Sequence, residues 1–162
     1  MEAVRIVEER ERAFQEAEKD REGLTIFTDR SRLESGVTGY GVAWKAGDQW
    51  VGVKAHMGYN QEAFDAECAA LARALEAAVK RRTGPKAVTI FTDAQAAMAR
   101  IASKEAGPTQ QYARQARKWI AKQRRRDRNL RIEFRWCPAH SGVAGNEEVD
   151  KWAKQAAEEP DA

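Results

Sequence analysis

The most constraining feature of the sequence is a pentapeptide, Thr-Ile-Phe-Thr-Asp, that occurs twice, at residues 25–29 and 89–93. Each copy is a β-branched and aromatic run that predicts a buried strand, and each copy ends in an aspartate. In an open α/β sheet, ligands bind where the carboxyl ends of neighbouring strands open into a crevice. The repeat therefore predicts two carboxylates at a ligand-binding edge. The alternative is that each aspartate only opens a turn or caps a helix.

The other hydrophobic patterns predict a mixed α/β fold with the element order βββαβααβα. The predicted strands are 24–28, 39–45, 49–55, 87–92 and 130–136, and the predicted helices are 61–82, 94–103, 109–126 and 146–157. A hairpin turn is expected at Ala46-Gly47-Asp48, and Asn146 is the expected N-cap of the last helix. We expect a five-stranded mixed β-sheet flanked by α-helices.

Residues 1–22 differ in composition from the rest of the chain. They hold eight acidic and five basic residues, so this segment has a net charge of −3 while the whole chain has +3. Helix-forming residues with few apolar positions predict a charged helical N-terminal extension that is loosely attached, ending near Gly23. The main domain is expected to span residues 24–160.

The composition excludes several classes of protein. Two cysteines, Cys68 and Cys137, cannot form a disulfide-rich scaffold and lack the Cys-x-x-Cys spacing of a zinc site. The apolar runs are far shorter than the roughly 20 residues that cross a bilayer, and the acidic N-terminus is unlike a signal peptide. We expect a soluble monomer without membrane association, in a reducing intracellular compartment, cytoplasmic or nuclear.

Three further residues are candidates for chemistry. Glu67 falls on the apolar stripe of its predicted helix with Leu71 and Leu75, where a carboxylate is costly unless it is paired or metal-bound. Snorkelling at the edge of the stripe is the alternative. Asp150 lies on the flank of an apolar helix face, where a solvent-facing acid is the usual explanation. His140 lies in a glycine-containing loop, and an imidazole there suits proton transfer.

As an ordered set, these motifs resemble the ribonuclease H family, type 1, and especially the RNase H domains of fungal non-LTR retrotransposon reverse transcriptases. The similarity spans roughly residues 24–158 and rests on Thr28-Asp29-x-Ser31, Gly39-Tyr40-Gly41, Glu67, Thr92-Asp93-x-Gln95, Trp136-Cys137-Pro138-Ala139-His140-Ser141-Gly142, Gly145-Asn146-Glu147 and Asp150. The resemblance implies an RNase H-like fold and cleavage of the RNA strand of RNA/DNA hybrids. It also suggests a reverse transcriptase domain in a parent polyprotein.

The resemblance also implies roles for individual residues. Four carboxylates would bind metal: Asp29, Glu67, Asp93 and Asp150. His140 would assist proton transfer or product release. Substrate contacts would come from Ser31, Gln95, Asn146, Trp119, Lys118, Lys122, Arg124 and Arg125. The chemistry agrees independently, because carboxylates without thiolates select Mg²⁺ or Mn²⁺, and two such ions can hydrolyse a phosphodiester.

A basic stretch supports a polyanionic partner. Between Arg114 and Arg131 there are nine basic residues and one acidic residue, with Trp119 among them and Tyr112 just before them. A solvated helix face is the alternative, but beside a phosphodiesterase site this charge favours a surface that grips a nucleic-acid backbone.

One residue departs from the family pattern: Arg30 stands where family members usually have glycine. We expect its side chain to obstruct the approach of the RNA backbone, the alternatives being a pair with a phosphate or with carboxylates such as Asp29. This departure keeps open a second function, a hybrid- or dsRNA-binding module that has reduced or lost catalysis. A third is a DNA-cutting integrase or resolvase, against which Gln95 and the His140 loop favour the ribonuclease branch.

Overall fold

The computed structural model describes residues 4–19, 21, 23–59, 63–80, 87–102, 110–126, 129–139 and 142–159. In these ranges the elements are β1 (Val4–Ile6), α1 (Arg10–Glu18), β2 (Leu24–Arg32), β3 (Thr38–Ala46), β4 (Gln49–Gly58), α2 (Ala63–Val79), β5 (Ala87–Thr92), α3 (Gln95–Ala102), α4 (Gln110–Arg126), β6 (Arg131–Trp136) and α5 (Ala144–Glu158). The predicted mixed α/β fold is confirmed. None of the described helices is long and apolar enough to span a membrane.

The strands form one mixed sheet in the order β1-β6-β5-β2-β3-β4. Strands β1, β6, β5 and β2 are parallel to their neighbours in that series, whereas β3 and β4 are antiparallel additions. The β3–β4 hairpin turns at Gly47 and Asp48, as predicted. The predicted number of five strands is wrong, because the described part of the sheet has six.

The additional strand lies in the N-terminal segment, where a loosely attached helix was expected. Strand β1 pairs with β6, and Arg135 of β6 holds the residues that follow β1. Arg135 Nη1 lies 2.7 Å from Glu8 Oε1 and 3.6 Å from Glu16 Oε1, and Arg135 Nε lies 3.2 Å from Glu133 Oε1. A strand of three residues is too short to produce a recognisable alternating pattern, so the sequence did not reveal it.

Alternate residues of the central strand β2 face two hydrophobic cores. Ile26 belongs to the core that α2, α3 and α4 form with one face of the sheet. Phe27 belongs to the opposite core, where Ala17 of α1 and Val149 of α5 are buried. This arrangement follows from the period of two along a strand, and it places helices on both faces of the sheet.

Helix α5 begins two residues earlier than predicted. Its N-cap is Val143, which makes no side-chain capping hydrogen bond, so the prediction that Asn146 is the N-cap is wrong. Asn146 lies instead within the first turn of α5, where it is buried. The N-terminal end is stabilised by Glu147, whose carboxylate accepts a hydrogen bond from the Gly142 backbone N–H at 3.3 Å.

Candidate active site

The two copies of the repeated pentapeptide lie side by side in the sheet. Strands β2 and β5 pair in parallel with the copies aligned residue by residue. Thr28 Oγ1 donates a hydrogen bond to the Phe91 carbonyl at 3.2 Å, and beyond this point β2 continues, paired with β3, whereas β5 ends at the next residue. Asp29 therefore lies inside β2 rather than at its end. The repeat sets Asp29 beside Asp93 where the two strands diverge.

Helix α5 brings Asp150 to the same place through a close crossing over β3. A Cβ atom at Gly41 would lie 3.0 Å from the Val149 carbonyl oxygen and 3.1 Å from the Ala153 nitrogen, so the crossing leaves little space for a side chain there. Gly41 is also the residue of β3 that is opposite Asp29. The close crossing at Gly41 therefore places Asp150 near Asp29.

Asp29 is the most buried acid of this group, with 8% of its surface exposed. Burial raises the pKa of its carboxyl most, the charge of Asp93 raises it further, and the charge of Asp150 and a hydrogen bond with Asp150 add to this effect. The Arg30 backbone N–H donates a hydrogen bond to Asp29 Oδ1 at 2.8 Å, and this hydrogen bond lowers the pKa of Asp29. The resulting pKa of Asp29 is about 8. Such repulsion among buried acids is what a bound cation would relieve.

Glu67 lies on the other side of β2 and is held by Arg30. Consecutive side chains of a strand point to opposite faces, so Arg30 points towards α2 while Asp29 points towards α5. Arg30 Nε donates to Glu67 Oε1 at 2.9 Å. Burial raises the pKa of Glu67, and the charge of Asp93 adds to this, while Arg30 partly opposes it. Pairing with a carboxylate was one alternative for Arg30, and the partner is Glu67.

The donor set is suited to a hard divalent cation. Asp29, Glu67, Asp93 and Asp150 offer carboxylate oxygens, which Mg²⁺ and Mn²⁺ prefer. The charge of Asp93 raises the pKa of both Asp29 and Glu67, so Asp93 lies close enough to interact with the acids on both faces of β2. Within the described ranges, no three His, Cys, Asp or Glu side chains are already arranged to hold a metal ion. The donor chemistry therefore fits a metal, although the side chains are not in a ligating arrangement.

The remaining residues predicted near the substrate lie at different depths. Ser31 follows Asp29 by two positions in β2 and is half-buried, and Gln95 follows Asp93 by two positions and is exposed at the start of α3. Asn146 is buried, with 3% of its surface exposed. His140 lies outside the described residues, so the structure gives no position for the predicted proton-transfer group.

Helix α4 carries the predicted basic surface and packs against α2, the helix of Glu67. Lys118 and Lys122 are exposed, and their Nζ atoms lie 5.4 and 5.5 Å from the centroid of the Trp119 ring. The Trp119 side chain is half-buried against the core. Arg125 is exposed, whereas the side chain of Arg124 lies outside the described part of the chain.

Two basic residues have roles that the sequence did not indicate. Arg126, one of the nine in the basic stretch, donates through Nη1 to the Val79 carbonyl at 2.6 Å, so it caps the end of α2. Lys154 Nζ lies 3.0 Å from Asp150 Oδ2. Its spacing of four residues from an acid on one helix was the available signal, but such spacing is common on helix surfaces.

Known proteins resemble the chain in sequence and in fold. The family model that matches the chain is RNase H, over residues 21–158. RNase H1 from the halophilic archaeon Halobacterium salinarum is similar in structure, with a TM-score of 0.62, 20% identity and coverage of 86% of this chain and 98% of that chain. The N-terminal RNase H domain of Rv2228c from Mycobacterium tuberculosis has a TM-score of 0.63 and 21% identity, covering 83% and 94%.

A third similar structure is the foamy viral protease–reverse transcriptase in complex with an RNA/DNA hybrid. Its TM-score is 0.66 at 17% identity, with coverage of 84% of this chain and 20% of that chain. At these identities the likeness concerns the fold. No curated protein sequence matches the chain.

Proposed function

Because the chain belongs to the RNase H family, we propose that it hydrolyses the RNA strand of RNA/DNA hybrids, as a type 1 enzyme of retroelement origin. The main support for this activity is the proximity of three acids, Asp29, Asp93 and Asp150, at the point where β2 and β5 diverge. The pKa of about 8 for Asp29 is a feature more typical of functional sites than of structural acids. The proposed subtype and origin rest on the sequence motifs.

The residues that would hold metal are Asp29, Glu67, Asp93 and Asp150. Two Mg²⁺ or Mn²⁺ ions, when bound, would activate a water and stabilise the leaving 3′ oxygen of the phosphodiester. The chain contributes a rigid frame for the carboxylates. Its central strand fixes Asp29 through the Arg30 backbone amide at 2.8 Å. We assign the proton transfer that accompanies cleavage or product release to His140.

The hybrid would be held by two groups of residues. Close to the acids, the RNA strand would be contacted by Ser31, Gln95 and Asn146. On α4, the exposed charges of Lys118, Lys122 and Arg125, with Arg124, would contact backbone phosphates beside Trp119. Such contacts position the duplex without reading its sequence. A reverse transcriptase domain in a parent polyprotein would be a further partner.

The Arg30–Glu67 ion pair supports a second candidate function. A guanidinium that holds one of the four carboxylates opposes metal binding at that carboxylate. The chain would then be a nucleic-acid-binding module of RNase H fold with reduced or lost catalysis. Both candidate functions include binding of the hybrid, but only the first includes efficient cleavage of its RNA strand.

Cleavage of labelled duplexes separates the candidates. The parent protein, Asp93→Asn and the control Asp48→Asn, an exposed turn residue, are incubated with RNA/DNA hybrid, dsRNA or dsDNA, with and without Mg²⁺. We expect Mg²⁺-dependent cutting of the RNA strand of the hybrid by the parent and by Asp48→Asn, and none by Asp93→Asn. Hybrid binding without cutting would favour the binding module. Undiminished cutting by Asp93→Asn would contradict the assigned site.

A further inference from the structure

Arg30 pairs with Glu67, one of the four carboxylates that would hold the proposed metal centre. Its Nε atom lies 2.9 Å from Glu67 Oε1, and its charge also acts on Asp29 and Asp93. We propose that Arg30 is an internal counter-cation of Glu67 that a divalent ion must displace, and that it thereby sets the metal concentration at which the site assembles. This inference rests on the proposed function and adds a residue that controls metal affinity.

Arg30 is the partner that is free to move. Its side chain is 40% exposed, whereas that of Glu67 is 15% exposed. The neighbours of Glu67 on α2, Ala66 and Cys68, are both fully buried, which fixes this turn of the helix. A long arginine side chain can rotate into solvent without repacking the core. Metal binding would therefore move Arg30 and leave Glu67 in place.

The exposure of the pair indicates the size of the effect. A pair with one partner 40% exposed is screened by water, so its strength is that of a surface or half-buried ion pair. Arg30 also repels an incoming cation, because like charges at short range oppose each other. The two effects together predict that removing the charge tightens Mg²⁺ binding by about 3- to 10-fold.

Substitutions can separate charge from bulk. Arg30→Met removes the charge and keeps most of the length, whereas Arg30→Gly removes both. Arg30→Lys keeps the charge without the planar fork and should give an intermediate affinity. The matched control is Arg32→Met, since Arg32 is exposed, lies two residues further along β2 and is on the same side of the strand. It removes the same charge at a greater distance from Glu67.

The test is a calorimetric Mg²⁺ titration of the full chain without nucleic acid, with the Mg²⁺-dependent rise in Tm as a second readout. We expect Arg30→Met and Arg30→Gly to bind Mg²⁺ about 3- to 10-fold more tightly than the parent, and Arg32→Met to remain within about twofold. In a Glu67→Gln background, Arg30→Met should change the affinity much less, because the competition is for the Glu67 carboxylate.

Two results would overturn the role of Arg30. One is an unchanged or weaker affinity in both Arg30→Met and Arg30→Gly while the parent binds Mg²⁺, which leaves the proposed function intact. The other is an increase in Mg²⁺ affinity on Arg30→Met that is the same in the parent and in the Glu67→Gln background. A failure of the parent and of every Arg30 variant to bind Mg²⁺ would contradict the proposed function itself as well as this role.

Discussion

Replacing Asp29 with Asn should stabilise the metal-free protein at neutral and alkaline pH. Burial raises the pKa of Asp29 most, and the charges of Asp93 and Asp150 raise it further, from 3.8 to about 8. Because the folded state then holds the proton more tightly than the unfolded chain, this stability contribution is complete below about pH 4 and is lost as the pH rises through 8. An Asn side chain has nearly the same shape, can still accept the hydrogen bond from the Arg30 amide, and carries no charge.

The pKa shift sets an upper limit on the effect. A rise of the Asp29 pKa from 3.8 to about 8 corresponds to about 5 kcal/mol of unfolding free energy at pH 8. The observable gain is smaller, because Asp29 shares a hydrogen bond with Asp150, so the raised pKa is not a property of the Asp29 side chain alone. We expect about 1–3 kcal/mol, which for a chain of this length is a rise in Tm of about 3–10 °C.

Thermal and urea unfolding of the parent, Asp29→Asn and the exposed control Asp48→Asn would measure this gain, with a chelator present, at pH 8 and pH 4. The gain should be clear at pH 8 for Asp29→Asn alone and should nearly vanish at pH 4. Added Mg²⁺ should narrow the difference by stabilising the parent. An Asp29→Asn protein that is no more stable than the parent at pH 8, or that is equally stabilised at pH 4, would refute the reasoning.

Three further predictions concern packing and nucleic-acid binding. In urea unfolding, Arg135→Met should cost about 2 kcal/mol, because Arg135 joins a glutamate of the N-terminal segment at 2.7 Å and one of its own strand at 3.2 Å. The exposed control Arg131→Met should lower the free energy of unfolding by less than about 0.5 kcal/mol. If Arg131→Met and Arg135→Met destabilise the protein equally, Arg135 does not have this stabilising role. Gly41→Ala should lower the free energy of unfolding by about 1–3 kcal/mol and slow hybrid cleavage, because the added methyl group forces α5 away from β3. Unchanged stability and cleavage would show that the crossing of α5 over β3 has room for a side chain. Replacing Lys118 and Lys122 with Ala should weaken hybrid binding and reduce its slope against log salt by about 1–2 in fluorescence anisotropy, whereas an unchanged slope would assign them to a solvated face.

The sequence predicted the central part of the site because its signal was local and repeated. Two identical pentapeptides indicated two similar strands, and parallel pairing in register then set Asp29 beside Asp93. The apolar stripe around Glu67 similarly identified an acid that needed a partner. At Glu67 a carboxylate stood where the periodic pattern called for an apolar residue, and such conflicts are most common at functional sites.

Other features depended on tertiary contacts and could not be derived from local patterns. Asp150 alone looked like a surface acid, since its place near Asp29 depends on how closely α5 crosses Gly41. The partner of Arg30 depended on which face of β2 lies against α2. Strand β1 was missed because three residues carry too little periodicity, and it is stabilised by pairing with distant β6.

The most direct test of the account is the Mg²⁺ dependence of hybrid cleavage under single-turnover conditions, with analysis of the RNA ends. For the parent, we predict cutting of the RNA strand that requires Mg²⁺ and leaves 3′-hydroxyl ends, because the 3′ oxygen is the leaving group. Asp93→Asn should lower the rate by at least about 10²-fold, and Asp48→Asn should retain the parent rate. Metal-independent cutting that leaves cyclic phosphate ends, or an Asp93→Asn protein as active as the parent, would contradict the claim that these acids form a metal-dependent phosphodiesterase centre.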